Sequence, residues 1–158
     1  MKISNIFLGK DVEIDPSSSI NNIKTGNNVK IAKRCSVFGG PDNLIEIGDG
    51  SYIGMNTLLN GFSAKLIIGK RVSIAQNVNI MTDSGPNASE KMQEFFPIEK
   101  KETIIGDDCW IGTGSIIMPG VKLGKMCVVA ANSFVSTSFP EFSVIGGNPA
   151  KFIKKLEK

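Results

Sequence analysis

The chain of 158 residues contains no histidine. Histidine is the usual general base near neutral pH and a frequent zinc ligand, so its absence excludes a histidine-based catalytic triad and a histidine-ligated zinc site. The three cysteines, Cys35, Cys109 and Cys127, are not grouped at the spacing of zinc ligands. We therefore expect no metal site and interpret the cysteines as buried packing residues.

Several other features are missing as well. The chain has no run of about 18 apolar residues, so no membrane span is predicted. The 18 basic and 15 acidic residues form no block of like charge, so a nucleic-acid partner is not expected. Phosphate-binding glycine loops and a Gly-x-Ser-x-Gly nucleophile motif are absent. The first ten residues lack the apolar core of a secretion signal, which favours a cytoplasmic location.

What the chain does contain is a six-residue repeat. A small or β-branched residue stands two positions before each repeating aliphatic residue, and a glycine often follows directly after the aliphatic residue. The period matches neither the 3.6-residue helix nor the two-residue strand. Between 103 and 135 the aliphatic positions are Ile105, Ile111, Ile117, Leu123, Val129 and Val135, and the small positions are Thr103, Cys109, Ser115, Val121, Cys127 and Ser133.

The repeat predicts short flat strands joined by tight corners, with three units closing one triangular coil. The same columns recur earlier, for example at Ile47, Ile53 and Leu59, and slip in register at three places that we interpret as longer corners. Each coil would stack on the next by parallel β pairing, with its aliphatic residues inside. A β-sandwich is disfavoured because its strands would not keep two columns in register.

These columns resemble the hexapeptide signature of the left-handed parallel β-helix acyltransferases. The closing motifs at Trp110–Gly112, Pro119–Val121 and Gly147–Lys151 are most similar to those of sugar and surface-polysaccharide O-acetyltransferases. The resemblance implies an all-β fold over residues 1–158 as one domain, with the coils wound left-handed. It also implies a protruding loop at about 81–104, a short C-terminal helix and a homotrimer with active sites between subunits.

In the family that this chain resembles, the protruding loop carries the histidine that acts as general base. Thr82 and Pro86 match the family's motif around that histidine, but Gly85 stands at the histidine position. A trimer neighbour of the same sequence cannot supply the missing residue. Asp83, Ser84 and Asn87 are therefore the candidate catalytic residues, with Asp83 as the base and the other two orienting the acceptor.

Three interpretations of the missing histidine stay open at this point. Asp83 could act as the base, since a partly desolvated carboxylate can work near neutral pH. An amine acceptor could attack the thioester unaided, with positioning as the main contribution. The protein could also bind its ligands without reacting. After Pro86, the segment 87–96 is predicted to contain a short helix capped by Asn87 or Ser89.

The resemblance implies acetyl-CoA as acyl donor, bound along the C-terminal coils. It places contacts at Thr113, Ala131, Ser136, Lys151 and Lys154, and it puts Trp110 beside the pantetheine. Gly112 leaves room for the pantetheine, the lysines suit the CoA phosphates, and the Gly112 or Thr113 amide is predicted to meet the oxyanion.

The predicted function is acetyl transfer from acetyl-CoA to a hydroxyl or amine of a sugar, including nucleotide-linked and surface-glycan sugars. The alternatives are a silent homologue that binds CoA or sugar, and a structural partner in a heteromer with a histidine-bearing paralogue. The sequence leaves the acceptor and the length of the acyl chain open.

Overall fold

Short parallel strands, numbered in chain order, build three flat sheets in the computed structural model, which describes residues 3–158. Sheet A contains β1 (Ile6–Phe7), β4 (Ile23–Thr25), β7 (Ile45–Ile47), β10 (Leu66–Ile68), β15 (Thr103–Ile105) and β18 (Lys122–Leu123). Sheet B contains β2 (Glu13–Ile14), β5 (Lys30–Ile31), β8 (Tyr52–Ile53), β11 (Ser73–Ile74), β16 (Trp110–Ile111), β19 (Val128–Val129), β21 (Ser143–Gly147) and β22 (Ala150–Lys155). Sheet C contains β3 (Ser19–Asn21), β6 (Ser36–Gly39), β9 (Leu58–Gly61), β12 (Asn79–Met81), β17 (Ile116–Ile117) and β20 (Phe134–Val135).

The chain visits sheets A, B and C in turn, so three strands make one coil of a solenoid. Strands of successive coils pair in parallel and in register, as Ile53, Ile74 and Ile111 do in sheet B. The stacked parallel coils that the six-residue repeat predicts are therefore confirmed. Because each coil exposes its upper and lower edges until another coil covers them, stability depends on stacking.

The aliphatic column fills the interior of the solenoid. Ile105, Ile111 and Ile117 are each 0% exposed. The small residues of the second column are mostly buried, and the hydroxyl groups of Ser51 and Ser115 donate hydrogen bonds to carbonyls of the next coil. Ser51 Oγ lies 2.8 Å from the Gly69 oxygen and Ser115 Oγ lies 3.1 Å from the Ala130 oxygen. Buried polar groups in this column therefore have partners.

The cysteines belong to the same buried column and are all free, which confirms that they are packing residues. The Cys109 thiol donates to the Gly124 carbonyl at 3.1 Å, and the Cys127 thiol donates to the Pro140 carbonyl at the same distance. The neighbouring Cys127 sulfur and burial raise the pKa of Cys109 above its usual range. Cys109 is thus a protonated, inert thiol at neutral pH.

The corner between sheets A and B repeatedly uses the left-handed backbone conformation. Asn28, Arg71 and Asp108 have φ values of 56°, 52° and 58° at equivalent positions of three coils, and Gly50 holds this position in the coil between Asn28 and Arg71. Asn and Asp tolerate this conformation better than other side chains do. Arg71 and Asp108 also join neighbouring coils through two hydrogen bonds, of 2.7 and 2.9 Å.

One loop interrupts the coils between β12 and β15. It contains β13 (Asp83–Ser84), the helix α1 (Glu90–Gln93) and β14 (Glu99–Lys100), with β13 and β14 paired antiparallel. The Ser89 hydroxyl caps α1 by accepting a hydrogen bond from the Met92 amide at 3.1 Å. The prediction of a short helix capped by Asn87 or Ser89 is confirmed, with Ser89 as the cap and a length of only four residues.

The predicted short C-terminal helix is wrong. Residues 150–155 form β22, which pairs antiparallel with β21 and ends sheet B. The last parallel coil leaves the backbone groups along the outer edge of β21 without a neighbour, and a strand can satisfy them whereas a helix cannot. No helix among residues 3–158 is long and apolar enough to cross a membrane.

Ile67 and Ile68 offer a matched test of the inward column, because they are neighbours in β10. Ile68 is 1% exposed, whereas Ile67 faces outward and is only partly buried. We expect Ile68→Ala to lower the free energy of unfolding by about 2–5 kcal/mol, through lost burial and the cavity left behind. Ile67→Ala should lower it by about 1 kcal/mol or less. Urea titrations would contradict the inward column if the two losses were equal.

Candidate functional site

A groove runs along the corner between sheets B and C, and we call it the B–C groove. It has a volume of about 460 Å³ and combines small residues of successive coils with one exposed aromatic side chain. It is lined by Ala75, Gln76, Trp110, Gly112, Thr113, Val128, Val129, Ala130 and Ala131. Four of the residues predicted to contact the acyl donor, Trp110, Gly112, Thr113 and Ala131, therefore lie together.

Gly112 allows two coils to approach at the floor of the B–C groove. A Cβ atom at this position would lie 2.6 Å from both the Ala131 nitrogen and the Val129 oxygen, so no side chain fits without moving backbone. The Gly112 amide donates to the Val129 carbonyl at 2.8 Å. It is therefore committed to coil stacking, and the expectation that it could meet an oxyanion is wrong.

The backbone amide of Thr113 is a better candidate than that of Gly112 to donate a hydrogen bond to an oxyanion. Its hydroxyl donates to the Gln76 carbonyl at 2.9 Å, which fixes the side chain across two coils. Its amide has no protein acceptor among residues 3–158. An amide without an acceptor beside a groove can donate to a bound ligand.

The remaining predicted donor contacts lie outside the B–C groove. Lys151 and Lys154 are exposed on β22, opposite Gly146 and Val144 of β21. Since β21 pairs with β19, which helps line the groove, both lysines lie beyond its C-terminal end. Ser136 is exposed just after β20, so it lies at the corner between sheets C and A instead.

The C–A corner carries a half-buried carboxylate, that of Asp83. Its Oδ2 atom accepts a hydrogen bond from Ser63 Oγ at 2.5 Å, and its Oδ1 atom accepts one from Asn60 Nδ2 at 3.3 Å. We call these three residues the Asp83 network. Both donors come from the preceding coil, Asn60 from β9 and Ser63 from the turn before β10.

The other two predicted catalytic residues are not part of the Asp83 network. Ser84 follows Asp83 in β13, so the two side chains point to opposite faces of the hairpin. Asn87 is exposed beyond the end of β13. Ser63 was missed by sequence reasoning because it lies outside the repeat. The register slip between Leu59 and Ile68 was the available signal, since it marks the enlarged corner that contains Ser63.

Gly85 stands where the resemblance to the family places a histidine, and the structure leaves no room for a side chain at that position. A Cβ atom on Gly85 would lie 2.7 Å from Ile98 Cα and 2.9 Å from Ile98 Cγ1. The hairpin is therefore built around a residue without a side chain. The missing histidine is accompanied by a local structure that excludes one.

The two halves of the candidate site lie at different corners of one chain. The B–C groove follows sheet B, whereas Asp83 follows sheet C, on the far side of a complete strand. Beyond the turn at Gln76 and Asn77, residues 78–83 run through β12 to Asp83, a span of roughly 17 Å. A ligand reacting at Asp83 is thus not beside the groove of the same chain.

The close contact between Gly85 and Ile98 predicts that a histidine at position 85 would destabilise the fold. Gly85→His should lower the free energy of unfolding by about 1–3 kcal/mol, because its Cβ overlaps the Ile98 backbone. Ala88→His is the control, since Ala88 is exposed in the same loop and should change stability by about 0.5 kcal/mol or less. Equal thermal stabilities of the two variants would contradict the closed position.

Comparisons with known proteins agree with this architecture. The family model described as the hexapeptide repeat of succinyl-transferase matches residues 102–137. A putative acetyltransferase of Saccharomyces cerevisiae, YJL218W, is 43% identical over 113 residues, which cover 71% of this chain and 56% of that protein. The galactoside O-acetyltransferase of Lactococcus lactis is 30% identical over 119 residues, covering 75% of this chain and 56% of that protein. The chain spans a little over half the length of these relatives.

Solved structures extend the likeness over almost the whole chain. A variant of AntD, an N-acyltransferase from Bacillus cereus, in complex with dTDP-4-amino-4,6-dideoxyglucose and coenzyme A, has a TM-score of 0.84 and 27% identity. The alignment covers 96% of this chain and 83% of that one. A maltose O-acetyltransferase from Clostridium difficile has a TM-score of 0.63 and 27% identity, and the alignment covers 96% of this chain and 70% of that one. The protein has the left-handed parallel β-helix fold of the hexapeptide-repeat acyltransferases and is similar in sequence to acetyltransferases of that family.

Proposed function

We propose that this protein transfers an acyl group from acyl-CoA, with acetyl-CoA as the first candidate donor, to the amino group of a nucleotide-linked sugar. The observation that carries the proposal is the Asp83 network, a fixed carboxylate in the loop where the family's histidine is absent. AntD, the N-acyltransferase found with an amino sugar on dTDP, supports the same acceptor class.

The B–C groove is the proposed donor site. Its small residues leave room for the narrow pantetheine arm, and Trp110 offers an exposed ring beside it. Lys151 and Lys154, just beyond the groove, would meet the CoA phosphates as flexible cations. The free Thr113 amide would donate to the thioester oxygen as negative charge develops on it. AntD has been observed with 3-hydroxybutyryl-CoA, so longer acyl groups belong to the same proposal.

Asp83 suits an amine better than a hydroxyl. A sugar amine arrives largely as an ammonium group, which a carboxylate binds directly through charge-assisted hydrogen bonds. Asp83 would take one ammonium proton, and the freed amine would attack the thioester carbonyl. The tetrahedral intermediate would then expel the CoA thiolate, the attacking nitrogen would give its second proton to that thiolate to form the thiol and the amide, and Asp83 would return its own proton to water. A sugar hydroxyl holds its proton far more tightly than an ammonium does, so a carboxylate is a poor base for it.

A second chain would complete the site. Because the B–C groove and Asp83 lie at different corners of one chain, we propose a homotrimer in which the groove of one subunit faces the Asp83 loop of the next. Closed rings of identical subunits readily make such heterologous contacts. The exposed side chains of Phe95 and Phe96, 77% and 67% accessible in the single chain, lie on that loop and would be covered by the neighbour.

The test is acyl transfer by protein without a histidine tag, since a tag would supply the residue type that the chain lacks. Asp83→Asn should lower kcat at least about 100-fold with a dTDP-linked amino sugar, because the base is removed and the shape is kept. Acetyl-CoA affinity, measured by calorimetry, should not change. Asp42→Asn, an exposed carboxylate in a turn, is the matched control.

Two outcomes would contradict the proposal. Full activity of Asp83→Asn would remove Asp83 from the role of base and favour unassisted attack by the amine. Failure of wild-type protein to bind acetyl-CoA would reject the donor assignment. The alternatives would then be a silent homologue or a subunit that works with a histidine-bearing paralogue.

A further inference from the structure

We propose that Asn60 and Ser63 are positioning residues that fix both oxygens of Asp83 and so determine where the acceptor amine binds. This inference rests on the proposed role of Asp83 as base. It goes further because it assigns roles to two residues on a different coil, one of which lies outside the repeat.

The orientation of the Asn60 amide group is determined by its surroundings. Its Oδ1 atom accepts a hydrogen bond from the Phe62 backbone amide at 3.1 Å. A side-chain amide has one accepting and one donating end, so Nδ2 must face the opposite way, towards Asp83. The Asn60 backbone carbonyl also accepts from the Thr82 amide at 2.9 Å and from the Thr82 hydroxyl at 3.1 Å. Asn60 is thus held at its backbone and at its side chain.

The Ser63 hydroxyl is committed to the other oxygen of Asp83. A hydroxyl has a single proton to donate, and here it points to Oδ2 at 2.5 Å, the short distance expected of a hydrogen bond to a carboxylate. With one donor on each oxygen, the carboxylate cannot rotate about its terminal bond without losing both. An ionised carboxylate offers about four lone-pair positions, so about two remain for donors from the acceptor amine.

The hairpin itself does not depend on this network. Its base is held by the Lys101 amide, which donates to the Thr82 carbonyl at 2.9 Å. The Thr103 hydroxyl donates to the Met81 carbonyl at the same distance. Removing the Ser63 hydroxyl should therefore release the carboxylate while the loop stays in place. This separation makes a positioning role distinguishable from a structural one.

The first experiment removes one donor. Ser63→Ala should lower kcat by roughly 10- to 100-fold, which is the range for a lost hydrogen bond to a charged group, and leave KM for acetyl-CoA unchanged. Ser63→Thr keeps the hydroxyl and should restore most of the activity. In an Asp83→Asn background, Ser63→Ala should cause no further loss, because the group that it positions is no longer a base. Ser36→Ala, on the exposed face of sheet C, is the control.

The second experiment moves the carboxylate without breaking the network. In the double variant Asn60→Asp with Asp83→Asn, the new amide at 83 can donate to the new carboxylate at 60, and Ser63 and the Phe62 amide keep acceptors. Thermal stability should stay close to that of wild-type protein. Turnover should stay at least about 100-fold low, because the base now stands on the wrong residue.

The outcomes separate this inference from the proposed function. If wild-type protein acylates an amino sugar but Ser63→Ala keeps its full kcat, or if the losses multiply in the Asp83→Asn background, the positioning role is wrong and the function stands. High activity in the double variant would also overturn it. If wild-type protein acylates no sugar, the proposed function fails, and the positioning role fails with it.

Discussion

The structure depends on one constraint, the stacking of coils that cannot bury their own edges. Parallel hydrogen bonds join each strand to its counterpart in the next coil, and the aliphatic column fills the space inside. Close approach is needed at every corner, which explains both the glycines and the buried hydroxyl and thiol groups that donate to the next coil. Burial of an aliphatic side chain contributes about 1.5–3 kcal/mol, so the column is a large source of stabilising free energy.

The same constraint explains the position of the chemistry. Small residues at one corner open the B–C groove, and the loop that interrupts the coils leaves the solenoid at the next corner. A rigid scaffold can carry such a loop without loss of stability, because the neighbouring coils still pair across it, as β12 does with β17. As a consequence of this arrangement, the B–C groove and the Asp83 carboxylate are separated within one chain. The proposed trimer is the arrangement that brings them together.

The sequence predicted the coils and the loop because the repeat and its break after Ile80 are visible in the residues, whereas the groove was expected from the resemblance to the family. Ile111 and Cys109 could be placed inside from the period alone, and Gly112 marked a close approach. The six-residue period gives no information about the structure of segments that lie outside the repeat. The C-terminal segment was predicted as a helix but pairs as β22, because the open edge of β21 decides its structure. Ser63 could not be assigned, since its contact with Asp83 joins residues 20 positions apart across an irregular corner.

We propose that a histidine-free site for acyl transfer is assembled from two chains. It is tested most directly by mixing two inactive variants, Asp83→Asn, which keeps the groove, and Ala131→Trp, which fills it from an exposed position. After unfolding and refolding an equal mixture, about a quarter of the intersubunit sites would combine an intact groove with an intact Asp83. A site shared between two chains predicts recovery of about a quarter of wild-type activity. A mixture no more active than the two variants alone would contradict it.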